Sequence, residues 1–276
     1  MLKRTITGIV LVAIVIALLF LGEIALGITL AAFAVIGTLE LYNAAKKGGC
    51  APVKWVAFLY AIPILLYTIN SDYNYFSVCV YVIATVVFFI CIIKHEKHNI
   101  VDAVLTIFSG VIVSNMLYCI IAVYKTGESK LDSALILGLI LIGACITDIF
   151  AYLFGVTLGK HKLCPSISPK KSIEGSIGGM LGVTICMSAY GYFVLNERIS
   201  SFSGTPIYIY VILGLVCGIV SQVGDLSASM VKRFFGIKDY GKIFPGHGGI
   251  LDRFDSFVFV TPVVYFFTSS VIHMFK

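Results

Sequence analysis

Ser133-ALILGLILIGACITDIFAYLFGVT-Leu158 runs for 26 residues with a single charged side chain, Asp148. A helix that crosses a bilayer needs about 20 mostly apolar residues, since ~30 Å of hydrocarbon is covered at ~1.5 Å per residue. The stretch is too long and too uniformly apolar for a barrel strand, whereas a helix satisfies every backbone N–H and C=O within itself. Working outward, eight more stretches share this character: roughly 5–22, 24–43, 53–69, 75–93, 101–124, 177–195, 205–224 and 256–274. The fold class read from them is all-α, a polytopic membrane helix bundle of about nine transmembrane helices. Composition agrees. Of 276 residues, 59% are hydrophobic and 12% charged, with a mean hydropathy of +1.01. Too little polar surface is left for a water-soluble domain, and disordered, collagen-like, nucleic-acid-binding and disulfide-framework classes are excluded with it.

The basic residues orient the bundle. If the spans alternate, Lys3, Arg4 and the loops after the second, fourth, sixth and eighth spans hold 16 of the 20 Lys and Arg. Lys125, Lys130, Arg198 and Lys276 fall on the other side. The positive-inside rule then places the first residues and the basic loops in the cytoplasm, with Lys276 outside. Lys3-Arg4 ahead of the apolar run 6–21 has the order of a signal peptide. That run exceeds the usual ~7–15 residues, so it reads as a retained first span. Residues 1–132 form an N-terminal set of about five spans, and 133–276 a C-terminal set bearing two polar cytoplasmic loops, 159–176 and 225–255. Of the eight cysteines, Cys50 and Cys164 lie on polar segments and six lie inside apolar runs, with no C-x-x-C pattern. They read as small apolar residues.

The two loops concentrate the chemistry. They cover under a fifth of the chain yet hold nine of its 20 basic residues and five of its 14 acids. If the eighth helix continues past the membrane surface, Asp225, Ser229, Lys232 and Arg233 come at i, i+4, i+7 and i+8 on one face. As isolated residues, the two cations would be interfacial anchors that snorkel to headgroups. Lys238-Asp239 and then Pro245-Gly246-His247-Gly248-Gly249 lead into Asp252, Arg253 and Asp255. Closely spaced glycines let backbone N–H groups approach a ligand. Acids in a first helical turn are favoured by the dipole, so Asp252 has a capping reading as well. In the other loop, Ser168-Pro169-Lys170-Lys171 precedes Glu174-Gly175. Gly175, Gly178, Gly179 and Gly182 could suggest a phosphate loop, but their spacing in an apolar helix points to close helix packing. Asp148 sits inside a span, where a carboxylate is costly unless paired or metal-bound. Acids mixed with cations suit phosphate chemistry with a divalent cation between the like charges.

The stretch S229-MVKRFFGIKDYGKIFPGHGGILDRF-D255, with Gly224-Asp225-Leu226 before it, resembles the signature of phosphatidate cytidylyltransferases, or CDP-diacylglycerol synthases. Ser168-Pro169-Lys170-Lys171, Glu174-Gly175 and Asp148 with Ala151-Tyr152 extend the likeness over roughly the C-terminal half. Ala228 departs from it, since many members carry Glu there. The resemblance implies transfer of CMP from CTP to phosphatidic acid with Mg²⁺ as cofactor, leaving room for a second, monovalent cation. It implies Asp225 and Asp252 as metal ligands, with Asp148 and Asp255 as further ligand or supporting acids. Lys170, Lys171, Lys232 and Arg233 would hold phosphates, and Glu174, Ser229, Asp239 and Arg253 complete the catalytic set. His247 with Gly246, Gly248 and Gly249 would shape the nucleotide turn. The implied partners are CTP, phosphatidic acid and the lipid bilayer, with no nucleic acid and with a homodimer allowed. Nearly bare termini without an amphipathic targeting extension favour a bacterial cytoplasmic (inner) membrane, and the basic-residue split faces the active site to the cytoplasm. Two rivals are a cation-coupled transporter using Asp148 and Asp225 at a midplane site, and a CTP-dependent polyprenol kinase. Pyrophosphate as product would separate cytidylyl transfer from the kinase, which leaves CDP.

Overall fold

The computed structural model describes residues 17–244 and 248–275. Among the described residues, six helices are long and apolar enough to cross a membrane: Glu23–Lys47, Asn74–Ile93, Ile100–Tyr124, Lys130–Leu158, Ile173–Arg198 and Ile207–Phe234. Two shorter apolar helices, Lys54–Asn70 and Phe257–Ile272, accompany them. These match eight of the nine stretches read from the sequence. Most of the first, 5–22, lies outside the described residues, as do Gly246, His247 and Lys276. The protein is a multi-pass, all-α membrane protein. All eight cysteines are free thiols. The chain divides into two compact units, 1–121 with 231–254, and 122–230 with 255–276.

In the first unit, Val56, Tyr60, Ile83, Val87 and Ala103 form a buried cluster. The Tyr60 ring lies so close over Gly110 that any Cβ there would collide with it. Asp102, 2% exposed, ties the connection after the first long helix to the start of Ile100–Tyr124. Its carboxylate accepts from Ala51 N at 2.6 Å and Asn99 N at 2.9 Å. Thr106 Oγ1 accepts from Val53 N at 3.1 Å, and the Thr106 carbonyl receives the Tyr42 hydroxyl at 2.8 Å. Replacing Asp102 with Ala orphans the Ala51 and Asn99 N–H groups, and a loss of about 1–3 kcal/mol is expected. The check is a lowered unfolding temperature of the purified protein in detergent. The 231–254 segment is no free loop. Phe235 and Ile237 pack on Ala44 and Ala45 of Glu23–Lys47.

In the second unit, Ser129 and Asp132 form a reciprocal cap on Lys130–Leu141. A widened π-type turn at Ile142–Ile146 passes the helix on to Thr147–Leu158. Ile173–Tyr190 packs closely against Thr147–Leu158. A Cβ on Gly175 or Gly179 would press on the backbone carbonyls of Ala151 and Thr147, and Gly178 and Gly182 receive the rings of Phe154 and Phe150. The glycine spacing therefore marks helix packing, as its period indicated.

Both polar segments are more ordered than loops. Within 159–176, Lys162–Cys164 and Ser168–Ser172 pair as a two-stranded antiparallel hairpin, with Lys162 opposite Ser172 and Cys164 opposite Ser168. The Ser172 hydroxyl then accepts from Gly175 N at 3.2 Å and starts the next helix, as N-cap serines do. The eighth helix does not stop at 224. It runs to Phe234, and Gly236 at φ +64° ends it. The Ile237 N–H returns to the Lys232 carbonyl at 2.9 Å and the Gly236 N–H to the Arg233 carbonyl at 3.1 Å, a closure that needs a residue tolerating positive φ.

Candidate active site

In the second unit, a cavity of about 450 Å³ is lined by Asp148, Lys162, Lys170, Lys171 and Asp225, with Tyr152 among its apolar walls. Four elements build it: Thr147–Leu158, the hairpin, the start of Ile173–Tyr190, and Ile207–Phe234. Lys171 Nζ lies 2.5 Å from Asp225 Oδ2, both side chains about a quarter exposed. Asp148 is held separately, accepting from Ser256 Oγ at 3.0 Å. The alternative in which Asp148 itself forms the ion pair is thus replaced by Lys171 with Asp225. Lys170 and Lys162 are exposed on the hairpin. Glu174 clasps the start of the hairpin, accepting from Lys160 N at 3.1 Å and His161 N at 3.2 Å, with His161 Nδ1 at 2.6 Å. Its role in the structure is to hold the segment that carries Lys170 and Lys171.

The first unit has a second polar cluster. Asp252 Oδ1 receives Lys232 Nζ at 3.1 Å, and Oδ2 receives the backbone N–H groups of Tyr240 at 2.8 Å and Gly249 at 3.0 Å. Lys232 Nζ also lies 5.4 Å from the centre of the Tyr240 ring. The capping reading of Asp252 holds in part, since one of its three donors belongs to the turn just before it. Gly248 has φ +83°, and a Cβ there would come within 2.7 Å of Asp252 Oδ2. Glycine is required on both counts.

The remaining expected residues are distributed. Ser229 is half-buried, while Arg233, Asp239 and Arg253 are exposed. Asp255 Oδ1 accepts from Ser256 N at 2.9 Å. Gly246 and His247 lie outside the described residues. Among the described residues, no three His, Cys, Asp or Glu side chains gather into a ready-made metal cage.

The model of the cytidylyltransferase family matches residues 2–271. The chain belongs to that family. Its relatives include a phosphatidate cytidylyltransferase of Staphylococcus aureus, 50% identical over 122 residues, which is 43% of this chain and 43% of that protein. A phosphatidate cytidylyltransferase of Synechocystis sp. is 47% identical over 130 residues, 46% of this chain and 42% of that one. The matched stretch thus covers under half the length of these curated relatives.

In this cytidylyltransferase-family chain, several site residues escape a reading of the sequence. Lys162 is a third cavity lysine, and nothing in its spacing separates it from a solvated loop cation. Ser256 positions Asp148 from 108 residues away. Glu40, whose carboxylate accepts from Ile250 N and Leu251 N just before Asp252, had a usable signal, since it is an acid inside the apolar stretch 24–43, the same feature that marked Asp148.

Proposed function

We propose that this protein transfers CMP from CTP to phosphatidic acid, giving CDP-diacylglycerol and pyrophosphate. The observation that carries the reading is the cavity in which Asp148 and Asp225 meet Lys162, Lys170 and Lys171, in a chain of the cytidylyltransferase family. A phosphatidate oxygen forms a bond to the α-phosphorus of CTP while the bond to the bridging oxygen breaks, and pyrophosphate leaves with the electron pair. The attacking phosphate is already ionised near neutral pH, so alignment and charge neutralisation matter more than a strong base. Lys162, Lys170 and Lys171 supply positive charge to the phosphates within the cavity.

The donor set of the second unit fits a magnesium ion, which takes one or two carboxylates and completes its shell with water and substrate phosphates. Asp225 and Asp148 would hold it. When bound it neutralises phosphate charge and lowers the barrier to displacement. In the first unit, Asp252 Oδ2 is held by two backbone N–H groups while Oδ1, among the described residues, takes only Lys232 Nζ and keeps a lone pair, so Asp252 can also serve as a cation ligand. Asp252 also holds the Lys232 ammonium, the proposed phosphate partner of this unit. The 16-to-4 distribution of basic residues supports a cytoplasmic active site, and the named bacterial relatives support a bacterial membrane.

Purified protein incubated with CTP, Mg²⁺ and phosphatidic acid in mixed micelles tests the proposal. CDP-diacylglycerol and pyrophosphate are expected in equal amounts. CDP with a phosphorylated lipid would replace this reading with kinase chemistry, and the absence of any lipid product would end it.

A further inference from the structure

The helix Glu23–Lys47 is apolar for most of its length, yet near its end it buries a carboxylate, Glu40, at 5% exposure. A buried acid is expensive unless its oxygens are satisfied. Here each oxygen has its own backbone donor. Ile250 N lies 3.1 Å from Oε1 and Leu251 N lies 3.0 Å from Oε2. These are two consecutive N–H groups at the start of Leu251–Phe254, the turn that carries Asp252.

The surroundings are shaped to the carboxylate. A Cβ on either Gly241 or Gly249 would collide with the Glu40 carboxylate. Both arms of the glycine-rich excursion therefore close directly over Glu40, and Gly249 donates its own N–H to Asp252. Glu40 and Asp252 together take four backbone N–H groups, from Tyr240, Gly249, Ile250 and Leu251. The position of Asp252, and of the Lys232 ammonium paired with it, depends on where these amides are pinned.

We propose that Glu40 is a positioning residue of the reaction: its carboxylate anchors the Gly249–Leu251 backbone and so sets the Asp252–Lys232 pair. This rests on the proposed cytidylyl transfer. The anchor comes from a helix 210 residues away in sequence, in the part of the chain that otherwise supplies apolar spans. Its carboxylate is buried and taken up by backbone donors, so its loss should be felt in turnover rather than in lipid binding.

The test is Glu40→Gln, which keeps the shape but replaces one acceptor oxygen with an NH₂ facing an N–H. Two readouts are taken on the purified full chain in detergent. Expected first is a fall in kcat of at least tenfold per folded molecule, with KM for phosphatidic acid within twofold of the unsubstituted protein. Expected second is faster amide hydrogen exchange confined to Tyr240 and residues 248–254, the rest of the chain keeping its protection. Gly249→Ala disturbs the same contact, so the double variant should be no slower than the slower single variant, because the two changes are not additive. Unchanged kcat with unchanged local exchange overturns the proposal. So does a rate loss that only tracks a smaller folded fraction or a global loss of protection. If the unsubstituted protein makes no pyrophosphate, the functional reading fails by itself, and the exchange comparison still decides whether Glu40 holds the turn.

Discussion

Asp225→Asn is expected to abolish turnover, with a fall beyond ~100-fold, while the protein stays folded. Charge-stabilising groups in a preorganised site typically contribute on that scale. Asp225 lies in the cavity 2.5 Å from Lys171 and shares the lining with Asp148. The amide fills the same space but carries no charge, so it can neither pair with the ammonium nor attract a divalent cation to the phosphates. The side chain is about three-quarters buried on a well-formed helix, and the amide keeps its shape, so turnover is compared per folded molecule. Pyrophosphate release at increasing Mg²⁺ reads the result. Near-wild-type rates at saturating Mg²⁺ would remove Asp225 from the proposed metal site.

Asp252→Asn should combine two losses. The side chain is only 4% exposed and accepts from an ammonium and two backbone amides. Asparagine has one acceptor oxygen, and its NH₂ must face a donor, leaving at least one buried group unsatisfied at a cost of about 1–3 kcal/mol. Lys232 loses its counter-charge, so the ammonium proposed as a phosphate partner is no longer held. Turnover per folded molecule should fall by more than ~100-fold, alongside a lower unfolding temperature. A destabilised variant with an intact rate would make Asp252 purely a structural group. Normal stability with normal rate would show that its three donors find other partners.

Much of this was legible in the residues because hydrophobic run length and intramembrane charge are strong signals. The long apolar stretches map onto helices with small end shifts, and Asp148, Lys170, Lys171 and Asp225, separated by up to 77 positions, line one cavity. The features that escaped depend on tertiary partners. The 162–172 hairpin has short strands without alternation, and it is set by Glu174 gripping its start and by Ser172 capping the helix after it. The continuation of the eighth helix, by contrast, is indicated by the spacing of Asp225, Ser229, Lys232 and Arg233, and only its stop at Phe234, set by Gly236, is not. Ser256 and Lys162 look ordinary until their neighbours are known. Glu40 was hidden by its setting, because a helix read for its length is easily not read for its one buried acid.

The widened turn at Ile142–Ile146 bears on which length changes the chain can absorb. Such a turn holds one residue more than an α-helical turn needs. Deleting one residue there lets the helix tighten to ordinary geometry while the segments before and after keep their facing. A deletion between Thr147 and Leu158 is different, since each residue carries ~100° of rotation. Everything beyond the cut would swing around the axis, taking Gly155 off Gly175, where the two backbones now nearly touch, and carrying Val156 out of the cavity wall. A one-residue deletion within 142–146 should therefore be tolerated, and one just after Asp148 rejected.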